Sequence, residues 1–126
     1  QKAIITPEFN DITNNDMHVI EAIGMDAPKN MSAIAKELSV TVGTLTIAMN
    51  SLVKKGYVLR NRGLKDRRVV YISLSEKGRS AYEHHARFHR EMIESVRNTL
   101  SSDEMEVLVK TLKHLNIWFR SFQENK

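Results

Sequence analysis

Four basic side chains and one carboxylate lie within seven consecutive residues near the middle of the chain: Arg62, Lys65, Asp66, Arg67 and Arg68. Residues 57–79 hold seven Lys or Arg against two Asp or Glu, a net charge of +5, whereas the whole chain carries +4. A basic segment beside a nearly neutral remainder is typical of a surface that binds a polyanion. Asp66 stands two residues before Arg68, so its carboxylate can accept guanidinium hydrogen bonds and orient that arginine before binding.

Two short helices joined by a tight turn are predicted just before this segment. Asn30 is a suitable N-cap for the first, and Thr41 is a suitable N-cap for the second, which ends at Gly56. The first helix has an apolar face formed by Ile34, Ala35 and Leu38, and the second has one formed by Leu45, Met49, Leu52 and Val53. This pair is a helix-turn-helix.

The predicted fold is mainly α-helical with a small β-hairpin. Residues 57–60 and 68–74 favour strands, and residues 61–67 between them form an exposed, charged tip. An earlier helix begins near Thr13, Ser75 caps a long helix, and Ser101 with Glu104 forms a capping box for the last one. A helix-turn-helix followed by a basic hairpin is a winged helix-turn-helix, which predicts double-stranded DNA as the partner.

The helix after Thr41 is expected to meet base edges in the major groove. Its exposed face presents Thr44, Ile47 and Asn50, with Lys54 one turn further to meet phosphate. Asn50 has no evident structural role on this face. In the hairpin, three basic residues are expected on phosphate, and Arg68 is expected in the minor groove. The predicted DNA-binding residues are Ser32, Thr41, Thr44, Thr46, Asn50, Lys54, Arg62, Lys65, Asp66, Arg67 and Arg68.

The pattern Asp66-x-Arg68, followed after five residues by Leu74-Ser75-x-x-Gly78, resembles the wing of the MarR family of bacterial transcription regulators. That family usually has Leu-Thr where this chain has Leu-Ser. The resemblance implies one MarR-like domain over residues 1–126, with a winged helix-turn-helix at 14–78 and dimerisation regions at 1–13 and 76–126. It also implies a homodimer that binds a pseudo-palindromic operator. A further helix usually precedes the segment that starts here, so the N-terminal helix is expected to be missing.

Within the family, three stretches resemble the fatty-acid-biosynthesis repressor subgroup (FabT-type). They are residues 41–46 with Asn50, residues 66–70, and Arg87-Phe88-His89. This resemblance implies repression of lipid-synthesis genes, with long-chain acyl groups on acyl carrier protein as corepressor. A ligand pocket between the long helix and the first helix would involve Phe88, His89 and Met92.

Several other functions have weaker support in the sequence. His85 and His89 lie one helical turn apart, so a metal-responsive regulator is an alternative, with His84, Glu8 and Asp11 as further candidates; a packed, hydrogen-bonded histidine pair is favoured over a metal site. An enzyme is not expected, because phosphate-loop, nucleophile and paired-carboxylate motifs are absent. A helical dimerisation module whose hairpin binds an acidic protein surface stays open. Trp118, Phe119 and Phe122 are expected in the core and dimer interface.

The composition indicates the cellular compartment in which the chain is expected. The chain has no cysteine and no apolar run of the roughly 20 residues that a membrane-spanning helix needs. A cytoplasmic protein without a cofactor and without a membrane partner is therefore expected.

Overall fold

The computed structural model describes residues 9–124 and divides the chain into two compact units, residues 1–88 and 89–126. The described residues form five helices and three strands. In chain order these are α1 (Asn14–Ile23), β1 (Lys29–Asn30), α2 (Met31–Leu38), α3 (Val42–Lys54), β2 (Val58–Arg62), β3 (Val70–Leu74), α4 (Glu76–Thr99) and α5 (Ser102–Glu124). The predicted fold class, mainly α with a small sheet in a winged helix-turn-helix, is confirmed.

The predicted helix starts are confirmed by their cap hydrogen bonds. Thr13 caps α1 in a capping box with Asp16. Asn30 Oδ1 accepts from the Ala33 backbone N–H at 2.8 Å at the start of α2. The capping box between Ser101 and Glu104 is also present at the start of α5, where both reciprocal bonds form. Each cap supplies acceptors to backbone N–H groups that have no partner inside the helix.

The core of the first unit lies between helices α1 to α3 and the sheet. The largest fully buried side chains are Tyr57, Ile20, Ile23, Ile34, Leu45, Met49, Leu52 and Ile72. Most of them occupy the helical positions that the three- and four-residue spacing predicted. Burial of each such side chain contributes roughly 1.5–3 kcal/mol to folding. These buried side chains therefore stabilise the helix-turn-helix against the sheet.

The sheet has three antiparallel strands in the order β1-β3-β2. The predicted two-stranded hairpin lacked β1, in which Lys29 pairs with Ile72 and Asn30 with Tyr71. A strand of two residues has no readable alternation of side chains and exists only through its pairing with β3. Strand β2 also runs two residues further than predicted, to Arg62, so the wing loop comprises residues 63–69 instead of 61–67.

Ser75 and Gly78 attach the start of α4 to the end of the helix-turn-helix. Ser75 Oγ donates to the Gly56 carbonyl and accepts from the Gly78 backbone N–H at 3.1 Å. A Cβ on Gly78 would lie only 2.1 Å from the Tyr57 carbonyl oxygen. The Leu-Ser-x-x-Gly pattern thus has a physical basis, since a side chain at Gly78 would push α4 away from this carbonyl.

The second unit contains the end of α4 and the whole of α5. No described side chain of α5 is buried, and most of the large apolar residues exposed there form a stripe: Val109, Leu112, Leu115, Trp118, Phe119 and Phe122. Val107 and Ile117 are exposed as well. The Trp118 ring stacks on Phe122 with centroids 5.8 Å apart and meets Phe119 edge-on at 5.1 Å. The expectation that these aromatic residues belong to the core is therefore wrong for a single chain. None of the described helices is long and apolar enough to cross a membrane.

Candidate nucleic-acid interface

The first turn of α3 is held by two threonine side chains. Thr41 Oγ1 accepts from the Thr44 backbone N–H at 3.1 Å, and the Thr41 hydroxyl donates to Thr44 Oγ1 at 3.0 Å. The predicted N-cap is confirmed, and both residues are exposed. Because the cap fixes this turn, Thr44 projects from a regular helix end where base contacts are predicted.

The outer face of α3 presents the predicted side chains to solvent. Thr44, Asn50 and Lys54 are exposed, and Ile47 keeps 74% of its surface accessible. Thr46 differs, because it is half-buried and its hydroxyl donates to the Val42 carbonyl at 2.8 Å. That hydroxyl is engaged within the helix, so a DNA contact by Thr46 would have to use its methyl group. Ser32, in the first turn of α2, is exposed.

Asn50 is tied to the sheet by a side-chain hydrogen bond. Arg60 Nη1 on β2 donates to Asn50 Oδ1 at 2.7 Å. The expectation that Asn50 has no structural role is therefore wrong. Sequence spacing missed this contact because the two residues lie on different elements, separated by the end of α3 and a turn.

The predicted contact between Asp66 and Arg68 is present in the wing. Asp66 Oδ1 accepts from the Arg68 backbone N–H at 3.0 Å and from Nε at 3.1 Å, while Oδ2 accepts from Nη2 at 3.1 Å. This bidentate pairing lowers the pKa of Asp66 and raises the pKa of Arg68. The Arg68 side chain nevertheless remains 91% exposed. Asp66 thus holds the guanidinium in a defined direction without covering it.

Arg62 and Gly63 brace the base of the wing loop. Arg62 Nη1 donates to the Arg67 carbonyl at 2.8 Å, and the Gly63 backbone N–H donates to the Val69 carbonyl, also at 2.8 Å. A Cβ on Gly63 would lie 2.7 Å from the Asp66 carbonyl oxygen. Arg62 was predicted only as a phosphate contact, but its Nη1 group also stabilises the wing loop through the bond to the Arg67 carbonyl. The remaining donors of Arg62 can still face phosphate.

Three further side chains project from the wing loop. Lys65 and Arg67 are exposed, as expected of phosphate contacts. Leu64 is 97% exposed at the same loop. An apolar side chain so fully exposed was not predicted as functional, because a lone leucine beside a glycine carries no distinct sequence signal.

Two of the candidate metal ligands have other partners. His85 Nε2 lies 2.8 Å from Glu21 Oε1, which agrees with the favoured hydrogen-bonded histidine. Asp11 accepts a hydrogen bond from the Tyr57 hydroxyl and lies 3.7 Å from Lys77 Nζ. The Tyr57 bond, aided by nearby lysines, lowers the pKa of Asp11. No group of three or more metal-binding side chains occurs among the described residues, and Glu8 lies outside them.

The candidate ligand-binding residues are less defined. Phe88, His89 and Met92 all lie on α4, and Met92 is 46% exposed. Their proposed role in binding an acyl group stays a prediction.

An exposed helix face, a capped helix start and a basic wing with an oriented arginine define a winged helix-turn-helix DNA-binding protein. The family model for the transcriptional regulator SarA/Rot matches residues 3–85. The SarZ regulator of Staphylococcus saprophyticus is 30% identical over 115 residues, which cover 91% of this chain and 76% of that protein. The chain belongs to the SarA/Rot family of MarR-type transcription regulators, so it is a DNA-binding regulator and not an enzyme.

Solved structures give the same result. FabT of Streptococcus pneumoniae, in complex with DNA, is 39% identical with a TM-score of 0.83, covering 90% of this chain and 80% of that one. Apo MarR of Escherichia coli is 30% identical with a TM-score of 0.66, covering 83% and 78%. The predicted MarR-type membership is confirmed, and the FabT structure supports the subgroup resemblance.

Proposed function

We propose that the chain is a homodimeric repressor of fatty-acid biosynthesis genes that binds a pseudo-palindromic operator, with long-chain acyl-acyl carrier protein as corepressor. The observation that carries the proposal is the bidentate Asp66–Arg68 pair beside an exposed recognition face, in a chain 39% identical to a FabT bound to DNA. Target genes and corepressor follow from the subgroup resemblance.

In this proposal each subunit contacts DNA twice. Helix α3 enters the major groove with Thr44, Ile47 and Asn50, and the wing reaches the adjacent minor groove with Arg68. The other wing cations and Lys54 neutralise phosphates, which adds affinity without sequence preference. The minor groove attracts arginine because of its negative potential. Asp66 keeps Arg68 extended toward that groove.

The apolar stripe of α5 supports dimerisation. Soluble monomers rarely expose so continuous an apolar surface, and Trp118, Phe119 and Phe122 are each more than half exposed. Pairing of α5 with a second copy would remove these rings from water. Two recognition helices would then read half-sites about one DNA turn apart, roughly 34–36 Å.

Dimerisation can be tested by light scattering on a substituted chain. Phe119→Lys is expected to give monomers and to abolish operator binding, whereas Lys110→Ala on the same helix should change neither. A wild-type chain that is monomeric would contradict the dimer, and a monomeric Phe119→Lys chain that binds operator as tightly as the wild type would contradict the need for a dimer in operator binding.

The regulatory part can be tested by selecting bound fragments from genomic DNA with and without long-chain acyl-acyl carrier protein. Unacylated carrier protein is the matched control. Enrichment of lipid-synthesis promoters that rises only with the acylated form is expected. Occupancy that is the same in all three conditions would overturn the fatty-acid proposal while leaving the DNA-binding function intact.

A further inference from the structure

Strand β2 continues past the edge of the hydrophobic core. The face of β2 that carries a core residue at its start therefore carries arginines further along the strand. Side chains on one face of a strand recur every second residue. On the inner face of β2, Val58 is buried, whereas Arg60 and Arg62 are exposed. Arg60 pairs across the sheet with Ile72, which is fully buried. The Arg60 side chain therefore leaves the core side of the sheet at its rim.

Arg60 and Arg62 reach different partners from this shared face. Arg60 Nη1 donates to Asn50 Oδ1 on α3 at 2.7 Å, whereas Arg62 Nη1 donates to the Arg67 carbonyl within the wing. Arg60 thus joins the predicted recognition face to the sheet. Arg62 braces the wing alone and provides a natural internal control.

We propose that Arg60 is a positioning residue for base recognition, which orients the Asn50 carboxamide before DNA is bound. The inference rests on the proposed contact of Asn50 with bases. Guanidinium has donors and no acceptor, so it can pair only with the Oδ1 side of the amide. The Nδ2 group of Asn50 is thereby left to donate to DNA.

This orientation specifies the chemistry of the base that Asn50 meets. An outward NH₂ group needs an acceptor, which the major groove offers at purine N7, guanine O6 or thymine O4. Cytosine presents a donor, N4–H₂, at the corresponding edge. The Asn50 amide is therefore expected to meet a purine N7, guanine O6 or thymine O4, and not the cytosine N4 amino group. Without Arg60 the amide could turn over or change rotamer, and ordering it would then weaken binding.

The inference is tested with a double-mutant cycle on operator affinity, using Arg60→Met, Asn50→Ala and the double variant. Fluorescence anisotropy on a genomic fragment selected by the wild-type chain, and on scrambled DNA, gives both affinities. Asn50→Ala and Arg60→Met are each expected to weaken operator binding about five- to tenfold. In the Asn50→Ala background, Arg60→Met should reduce operator affinity only by the factor by which it reduces affinity for scrambled DNA. The effects of Arg62→Met and Asn50→Ala on the free energy of operator binding should be additive.

Each contrary result has a distinct meaning. Additive effects of Arg60→Met and Asn50→Ala would overturn the positioning role even if Asn50 contacts a base. If the Asn50→Ala chain binds operator as tightly as the wild type, Asn50 makes no base contact, and the positioning role of Arg60 is overturned. No preference of the wild type for any genomic fragment would count against the proposed function as well. Melting temperatures of all variants show whether a loss reflects unfolding.

A chemical readout separates positioning from a general structural effect. Replacing purines of the operator by 7-deazapurines removes the N7 acceptor at chosen positions. If Asn50 meets a purine N7, one such replacement should weaken wild-type binding but leave Asn50→Ala and Arg60→Met binding unchanged. If Asn50 meets guanine O6 or thymine O4, replacing that guanine by adenine or that thymine by cytosine should have the same selective effect. Equal sensitivity of wild type and Arg60→Met at every position would contradict the inference.

Discussion

Replacement of Asp66 by alanine should weaken operator binding even though it makes the wing more basic. The carboxylate holds Arg68 through its backbone N–H, Nε and Nη2, all within 3.1 Å. Without Asp66, the Arg68 side chain is free to change rotamer and must be ordered when it enters the minor groove. Loss of a negative charge acts in the opposite direction, because it increases attraction to phosphates. The two effects can be separated by comparing operator with scrambled DNA.

The expected size follows from the ordering of one long side chain. Immobilising a rotamer-rich side chain weakens binding by about two- to tenfold, so Asp66→Ala should lose that factor at each half-site of operator DNA, or about four- to hundredfold for the proposed dimer. On scrambled DNA it should bind equally or slightly more tightly, since no defined minor-groove contact is lost. Asp66→Asn retains an acceptor for the Arg68 N–H and Nε but loses the second charged oxygen. Its operator affinity should lie between those of wild type and Asp66→Ala.

Salt titration identifies the mechanism. Arg68→Ala removes two cations from the interface of the proposed dimer, one in each subunit, so the slope of log affinity against log salt should fall by about 1.8. Asp66→Ala leaves every cation in place and should keep the wild-type slope or steepen it. Fluorescence anisotropy between roughly 50 and 200 mM salt suffices for this comparison. An Asp66→Ala chain that binds operator more tightly than the wild type would refute the orienting role of the carboxylate.

Three further predictions concern the frame that carries the interface. Gly78→Ala should destabilise the fold by about 3 kcal/mol or more, measured by denaturant unfolding, since its Cβ would lie 2.1 Å from the Tyr57 carbonyl oxygen; unfolding like that of wild type would contradict this packing. Thr41→Ala should lower the free energy of unfolding by about 1 kcal/mol through loss of the N-cap, whereas Thr41→Ser should retain most of the wild-type value. Because the folded-state pKa of Asp11 is lowered by its Tyr57 bond, its stabilisation is complete above about pH 4 and is lost as pH falls through the folded-state value. Asp11→Asn should therefore show a flatter fall of melting temperature with acid, and an unchanged acid limb would contradict the assignment.

The helix-turn-helix could be predicted because its signals are local. Thr41 bonds to Thr44 three residues later, and the apolar spacing of Leu45, Met49 and Leu52 lies within one helix. The Asp66–Arg68 pair is likewise a contact between near neighbours. Such features depend on backbone geometry that the residue types themselves determine. They accounted for the central part of the candidate interface.

The contacts that were missed connect separate elements. Strand β1 exists because Lys29 and Asn30 pair with β3, and two residues carry no pattern of their own. The bond from Arg60 to Asn50 depends on where β2 lies against α3. The sequence indicated that Trp118, Phe119 and Phe122 pack against something, but it could not show whether Phe119 meets this chain or another. Spacing alone gives the face of a helix and leaves its partner undefined.

Footprinting on a selected operator tests the central claim most directly, namely that α3 occupies the major groove while the wing occupies the adjacent minor groove. Wild-type protein is expected to protect two major-groove segments one turn apart and the minor groove on their flanks. Arg68→Ala should lose the flanking minor-groove protection and keep the central segments at saturating protein. Flanking protection that persists unchanged in Arg68→Ala would contradict the placement of the wing.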